Sequence, residues 1–269
     1  MTDTTSLGPV RRRADLPRAR RIVVKVGSSS VSGDAAGQIG SLVDALATAY
    51  GHGTEVVLVS SGAIATGFPF LGLEGRPDDL ATQQAAAATG QNVLMFRYQQ
   101  QLDRHGVVAA QILLTAGDLQ NPTHRVNAQR AIDRLLALRV LPIVNENDTV
   151  ATHEIRFGDN DRLAALVARL LGADALVLLS DVEALYTKPP EQPGAERIDE
   201  VPFGDELAGV TFGSVGAAGV GTGGAGTKVA AARLAAEAGT SVLVTATSLV
   251  DRALAGEHVG TWFHAAPRG

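Results

Sequence analysis

Of the 23 basic residues in this chain only Lys25, Lys188 and Lys228 are lysine, so 23 − 3 = 20 are arginine. An ammonium is a compact charge on a flexible stem and suits a crowded phosphate site better than a planar guanidinium. Lys25 lies inside the apolar run IVVKV, directly before Gly27, Ser28, Ser29 and Ser30. A buried ammonium is costly unless an anion meets it, so phosphate chemistry is one reading and a lysine snorkelling from a strand end into a turn is the other. Lys228 closes the glycine-rich run GVGTGGAGTK, Gly219 to Lys228, which opens a helical stretch of Ala, Val and Leu. Free N–H groups at a helix start and glycines that admit close approach make an anion site, against the plainer reading of a flexible turn. Gly219, Gly221 and Gly224 also fit G-x-G-x-x-G, but no strand precedes them. Gly221 and Gly226 have P-loop spacing, yet Thr227-Lys228 follows instead of Lys and then Ser or Thr. Neither motif therefore applies. Lys188 gains no such support and reads as surface.

A second constellation is polar without being basic. NENDTVAT and FGDNDRL place Asn145, Glu146, Asn147, Asp148, Asp159, Asn160 and Asp161 beyond an apolar run ending at Val144. Asp159 or Asn160 could simply cap the helix that begins at Arg162. So many carboxylates and amides together also form a receptor for a zwitterion, carboxylates for an ammonium and amides for a carboxylate. Ser60, Ser61 and Gly62 follow another apolar run, a weaker signal because Ser-Gly is a common turn.

These residues must be positioned by strand ends. Short β-branched runs at Ile22 to Val26, Val56 to Ser60, Val107 to Leu114, Val140 to Val144, Ala175 to Leu179 and Ser241 to Thr245 predict buried strands. Between them, Ile39, Leu42, Val43 and Leu46, and again Leu163, Leu166, Val167 and Leu170, predict amphipathic helices. Alternating strand and helix predicts an α/β fold, a mainly parallel sheet with helices on both faces and ligands at the carboxyl ends of the strands. The helical segment from Asp78 to Arg104 is Gln- and Ala-rich and reads as either a subunit contact or a surface helix. Val182 to Gly226 has no periodic element and reads as a nucleotide-side loop or lid. The Arg-rich first 20 residues read as a disordered basic tail, with too short an apolar run after them for a signal peptide.

Composition excludes several classes. With 45% hydrophobic and 19% charged residues the chain is globular, and a net charge of −5 gives no electrostatic footprint for nucleic acid or an anionic membrane. Cysteine is absent, so thiolate catalysis and Cys-based metal sites are excluded, and a cytoplasmic location is expected.

Taken in order and spacing, VVKVGSSS, SSGAIA, VNENDTVAT, FGDND and GTGGAGTK resemble the amino-acid kinase family, from Arg21 to about Ala265. The resemblance implies a three-layer αβα sandwich and a single kinase domain over residues 21–269. It implies transfer of the γ-phosphoryl group of ATP, with Mg²⁺, to the side-chain carboxylate of L-glutamate, the first step of proline biosynthesis. Lys25 and Lys228 then contact phosphate and Asp161 orients them. Ser61, Gly62, Asn145, Asp148, Asp159 and Asn160 form the glutamate side. Ser180, Asp181 and the run Thr222, Gly223, Gly224, Ala225, Gly226, Thr227 join the two lysines on the nucleotide side. No protein metal ligand is implied. A homo-oligomer (dimer or tetramer), a glutamyl-phosphate reductase as further partner, and competition by proline at the glutamate site are also implied. Two departures stand out: members commonly carry Met and a small or basic residue where Ala225 and Gly226 stand, and many carry a C-terminal PUA domain, so a short form is expected. The rival readings are an N-acetylglutamate or uridylate kinase of the same fold, and a non-catalytic module sensing glutamate or proline.

Overall fold

The structure, a computed structural model, describes residues 10–32, 37–151, 160–210 and 224–267. The chain begins with β1 (Arg21–Val26), α1 (Gln38–Gly51), β2 (Glu55–Ser60), α2 (Ala63–Gly67) and α3 (Leu80–Leu102). It continues with β3 (Ala109–Leu114), α4 (Ala116–Gln120), α5 (Pro122–Ala137), β4 (Leu141–Glu146), α6 (Asn160–Leu171) and β5 (Ala175–Ser180). Then follow β6 (Leu185–Tyr186), β7 (Arg197–Ile198), β8 (Glu200–Val201), α7 (Ala225–Glu237), β9 (Ser241–Ala246), α8 (Val250–Leu254) and β10 (Thr261–Phe263).

Among the described residues eight strands form one sheet in the order β3-β4-β2-β1-β5-β9-β10-β8, in which only the β9–β10 pairing is antiparallel. Strands β1, β5 and β9 are buried throughout, as their unbroken apolar runs require. Alternation along β1 sends Ile22, Val24 and Val26 into a core shared with α1, α3 and α8, and Val23 into a second core shared with α5, α6 and α7. Lys25 falls on the same face as Val23 and so points toward the α6–α7 layer. The chain first builds outward from β1 through β2, β3 and β4, then crosses back with α6 to place β5 on β1's other side. The carboxyl end of β1 is therefore the topological switch point, where an open α/β sheet leaves a crevice.

Four expectations are corrected. Asn145 and Glu146 belong to β4 itself, because their backbone stays paired with Leu113 and Leu114 of β3. The stretch from Val182 holds the hairpin β6–β7 and strand β8, whose partners in β10 lie some sixty residues away; two-residue strands leave no period to read. Residues 211–223 lie outside the described residues. Residues 10–20 are packed and not a solvated tail. Val10, Leu16 and Ala19 are buried, and the buried Arg13 guanidinium donates to the carbonyls of Val259 (3.0 Å) and Gly260 (3.2 Å) while pairing with Asp199 and Glu200. Finally, α3 is a core helix: Gln83, Ala87, Gly90, Gln91, Leu94, Tyr98 and Leu102 bury one face at heptad-like spacing.

Helices α2 and α3 cross backbone to backbone. A Cβ on Gly67 would lie 1.8 Å from the carbonyl oxygen of Ala86, and one on Gly90 would lie 1.8 Å from that of Ala63. Since α2 continues from Ser61-Gly62 and α3 carries Gln91, this crossing fixes two walls of the same crevice. Gly90→Ala must push the helices apart, and overpacking of this kind costs about 1–3 kcal/mol. Chemical denaturation should show that loss; an unchanged midpoint would contradict the close crossing.

Candidate functional site

Two lysines from distant parts of the chain meet one carboxylate. Lys25 Nζ lies 2.6 Å from Asp161 Oδ1 and Lys228 Nζ 3.1 Å from Asp161 Oδ2. All three are buried, at 3% (Lys25), 6% (Lys228) and 0% (Asp161) relative exposure. Each comes from a different element: β1 supplies Lys25, the first turn of α6 supplies Asp161, and the first turn of α7 supplies Lys228. A carboxylate at a helix start is favoured by the helix dipole, which adds to the attraction of the two cations. Thr227 closes the group, its hydroxyl donating to the carbonyl of Gly224 (2.8 Å) and lying 3.4 Å from Asp161 Oδ2.

An ammonium has three N–H groups, so each lysine can bond more than one acceptor. Space is left for an anion beside Lys25. A Cβ on Gly27 would stand 3.9 Å from Lys25 Nζ and 3.8 Å from Ser29 Oγ, so any larger residue there would cover the ammonium. Gly224 is the N-cap of α7 and Ala225 and Gly226 form its first turn. A Cβ on Gly226 would meet nothing within 4 Å, so packing does not demand glycine at this departure from the family pattern.

Next to Asp161, Asn160 turns the other way and starts a chain of amides. Its Nδ2 donates to the Ser60 carbonyl (2.6 Å) and to Asn145 Oδ1 (2.7 Å), while Asn145 Nδ2 donates to Gln91 Oε1 (2.6 Å). The Glu146 N–H also donates to Asn145 Oδ1 (2.8 Å). Successive helix residues point about 100° apart, so one helix start serves two neighbouring groups. Beyond Gln91 a cavity of about 190 Å³ is lined by Ala63, Gln91, Asn92, Glu146, Asn147, Asp148 and Thr149, among others. Asp148 thus faces the same space as Gln91. Ala63, the first residue of α2, lines it, while Ser61 and Gly62 precede α2 and are not among its lining residues. Gly62 must be glycine: its φ is +93°, and a Cβ would press on Val31 Cγ2 at 3.1 Å.

Ser180 and Asp181 occupy the end of β5, where the Ser180 hydroxyl donates to Asp181 Oδ1 (3.0 Å). Asp159, Thr222 and Gly223 lie outside the described residues. Gln91 and Tyr98 also reach the site, and no motif in the sequence marks them. The Ser60 hydroxyl donates to the Ser61 carbonyl (3.2 Å), so the Tyr98 phenol, at 2.9 Å, is the donor to Ser60. Burial pushes that phenol above its ordinary pKa, with the Ser60 hydrogen bond opposing, and it remains a neutral donor. The available signal was the placement of Gln91 and Tyr98, seven residues apart, on the apolar face of α3.

Among the described residues no group of three His, Asp or Glu side chains could hold a metal ion, and no helix is long and apolar enough to cross a membrane.

Asp161→Asn keeps the shape and removes the charge that two buried cations share. Losing one partner of a buried ion pair costs several kcal/mol, here about 3 kcal/mol. An unfolding free energy equal to that of the parent chain would contradict the role of this carboxylate.

A sequence profile described as the amino acid kinase family matches residues 20–246. The chain is 75% identical over 257 residues to a glutamate 5-kinase of Clavibacter michiganensis subsp. michiganensis, covering 96% of this chain and 98% of that protein. It is 72% identical over 251 residues to a glutamate 5-kinase of Leifsonia xyli subsp. xyli, covering 93% of each. In fold it is similar to the carbamate kinase from Giardia lamblia bound to AMP-PNP, with a TM-score of 0.67 at 17% identity over 93% of this chain and all of that one.

Proposed function

The chain belongs to the amino acid kinase family, and we propose that it moves the γ-phosphoryl group of ATP onto the side-chain carboxylate of L-glutamate, giving L-glutamyl 5-phosphate. One observation carries this reading beyond the family. The buried Lys25–Asp161–Lys228 group and the amide-lined cavity beside Asp148 are joined by two consecutive residues, Asn160 and Asp161, so a phosphate site and an amino-acid site share one helix start.

A glutamate side chain has an ordinary pKa of about 4.3 and is ionised at neutral pH, so the nucleophile needs no general base. The obstacle is repulsion between two anions that must approach in line, and catalysis comes from positioning and charge neutralisation. Lys25 and Lys228 supply fixed positive charge on either side of the transferring group, and Asp161 sets their spacing. The amide N–H groups at the start of α7 face the phosphates, with Ser180 and Asp181 on the nucleotide side. Both Asp161 oxygens are turned to lysines, so Mg²⁺ would be held by the ATP phosphates and water, not by this carboxylate, and would supply further charge neutralisation.

The amino-acid side can be assigned by elimination of donors. Both N–H groups of Asn160 are engaged, so it offers a ligand only the acceptor Oδ1, and Asp148 offers a carboxylate. Both suit an α-ammonium. Gln91 uses its oxygen on Asn145, which leaves its Nε2 group for an α-carboxylate. N-acetylglutamate brings no cation for Asp148 to meet. The free-amine substrate also separates this reading from the N-acetylglutamate and uridylate kinases, and the buried lysine pair separates it from a silent sensor. Residues 21–269 act as one kinase domain in a cytoplasmic homo-oligomer, dimer or tetramer, and a glutamyl-phosphate reductase consumes the reactive acyl phosphate.

The purified chain should release ADP with L-glutamate in a magnesium-dependent way, and hydroxylamine should trap the product as its hydroxamate. A preference for N-acetylglutamate, or no turnover with any of these acceptors, would overturn the assignment.

A further inference from the structure

The hydrogen-bond ladder between β1 and β5 stops early. Its last pair is Lys25 with Leu178, whereas β5 and β9 stay paired to Ser180 and Ala246. The segment Gly27 to Ser30, which borders the Lys25 ammonium, thus leaves the sheet just where its spacing from the β5 loop would matter. A relay of hydroxyls crosses the gap. Thr247, the first residue of the 3-10 turn Thr247–Leu249 after β9, donates to the Ser180 carbonyl (3.2 Å) and lies 2.8 Å from Ser30 Oγ. A hydroxyl has one proton, so Ser30 is the donor to Thr247. Ser30, Thr247 and Ser180 are all buried, at 5%, 6% and 8% exposure, so water does not readily substitute for the bonds.

We propose that Thr247 is a positioning residue for the nucleotide: its hydroxyl fixes the distance between the phosphate cradle at Gly27–Ser30 and the nucleotide-side loop at Ser180-Asp181. This rests on the reading above that ATP lies across the ends of β1 and β5. The amino-acid side hangs on β2, β4, α3 and the start of α6, and among the described residues the relay bonds run only between Ser30, Thr247 and Ser180. Loss of the hydroxyl therefore weakens nucleotide binding selectively, because the two halves of the nucleotide site are no longer preorganised at one spacing.

The test compares Thr247→Val and Thr247→Ser in the full chain, with dissociation constants for Mg-ADP and L-glutamate measured by calorimetry. Thr247→Val should weaken ADP about tenfold, on the scale of a buried hydrogen bond lost with its partner left unsatisfied, and change glutamate less than about twofold. Thr247→Ser should restore ADP binding to within about threefold. Ser30→Ala should weaken ADP in the same direction and add little when combined with Thr247→Val. Unchanged ADP affinity in Thr247→Val, or equal losses for both ligands as general loosening would give, would overturn the proposal. If Thr247→Val does not fold, unchanged ADP affinity in Ser30→Ala overturns it instead. A parent chain that binds ADP without phosphorylating glutamate would sink the reading of the reaction while the ADP comparison still decides the role of Thr247; a parent chain that does not bind ADP would sink both.

Discussion

A carboxylate withdrawn from water and bonded to two ammonium groups governs the arrangement of this molecule. Asp161 is fully buried, and burying a charge is tolerable only with close partners in good geometry. Three elements must therefore converge on one point: the carboxyl end of β1 with Lys25, the start of α6 with Asp161 and the start of α7 with Lys228. The parallel sheet makes this possible. With β1 central and α6 crossing over it to reach β5, the helix starts fall at the strand ends, so the ion group sits in the crevice that the topology leaves open.

The same helix start ties substrate side to phosphate side. Asn160 locks to Ser60 and Asn145, Asn145 to Gln91, and Gln91 is held in place by the Gly67–Gly90 crossing of α2 on α3. A shift of α3 is thus transmitted through the amides of Gln91 and Asn145 to Asn160, the residue beside Asp161. On the proposed reading that rigidity is useful, since phosphoryl transfer between anions depends on placing charge correctly more than on any acid or base.

Much of this was legible in the sequence for identifiable reasons. Continuous β-branched runs mark strands, and all six such runs became strands of the sheet, but β3 is an edge strand in which only Leu114 is buried, so burial on both faces was not legible for that run. Lys25 and Lys228 stood out because the chain otherwise uses arginine. The contact of both with Asp161 was not readable from spacing, because the three lie 136 and 67 residues apart in sequence, and it entered only through resemblance to a family. Asn160 and Asp161 could equally have been plain helix caps, and only the fold shows their side chains parting toward two different groups. Gln91 was hidden in an Ala- and Gln-rich helix whose buried face is too weakly apolar to be told from its exposed one. Arg13 was misread for the opposite reason: an arginine-rich start suggests solvent, yet a guanidinium can bury itself against carbonyls and carboxylates supplied from the far end of the chain.

The central claim is that Lys25 and Lys228 act together on one transferring phosphoryl group. The most direct measurement is kcat at saturating ATP and glutamate for Lys25→Ala and Lys228→Ala, each verified as folded by its circular dichroism. Each substitution should lower kcat about 10²-fold or more, the scale seen when a charge-stabilising group is removed from a transition state. Turnover equal to that of the parent chain in either variant would contradict the account.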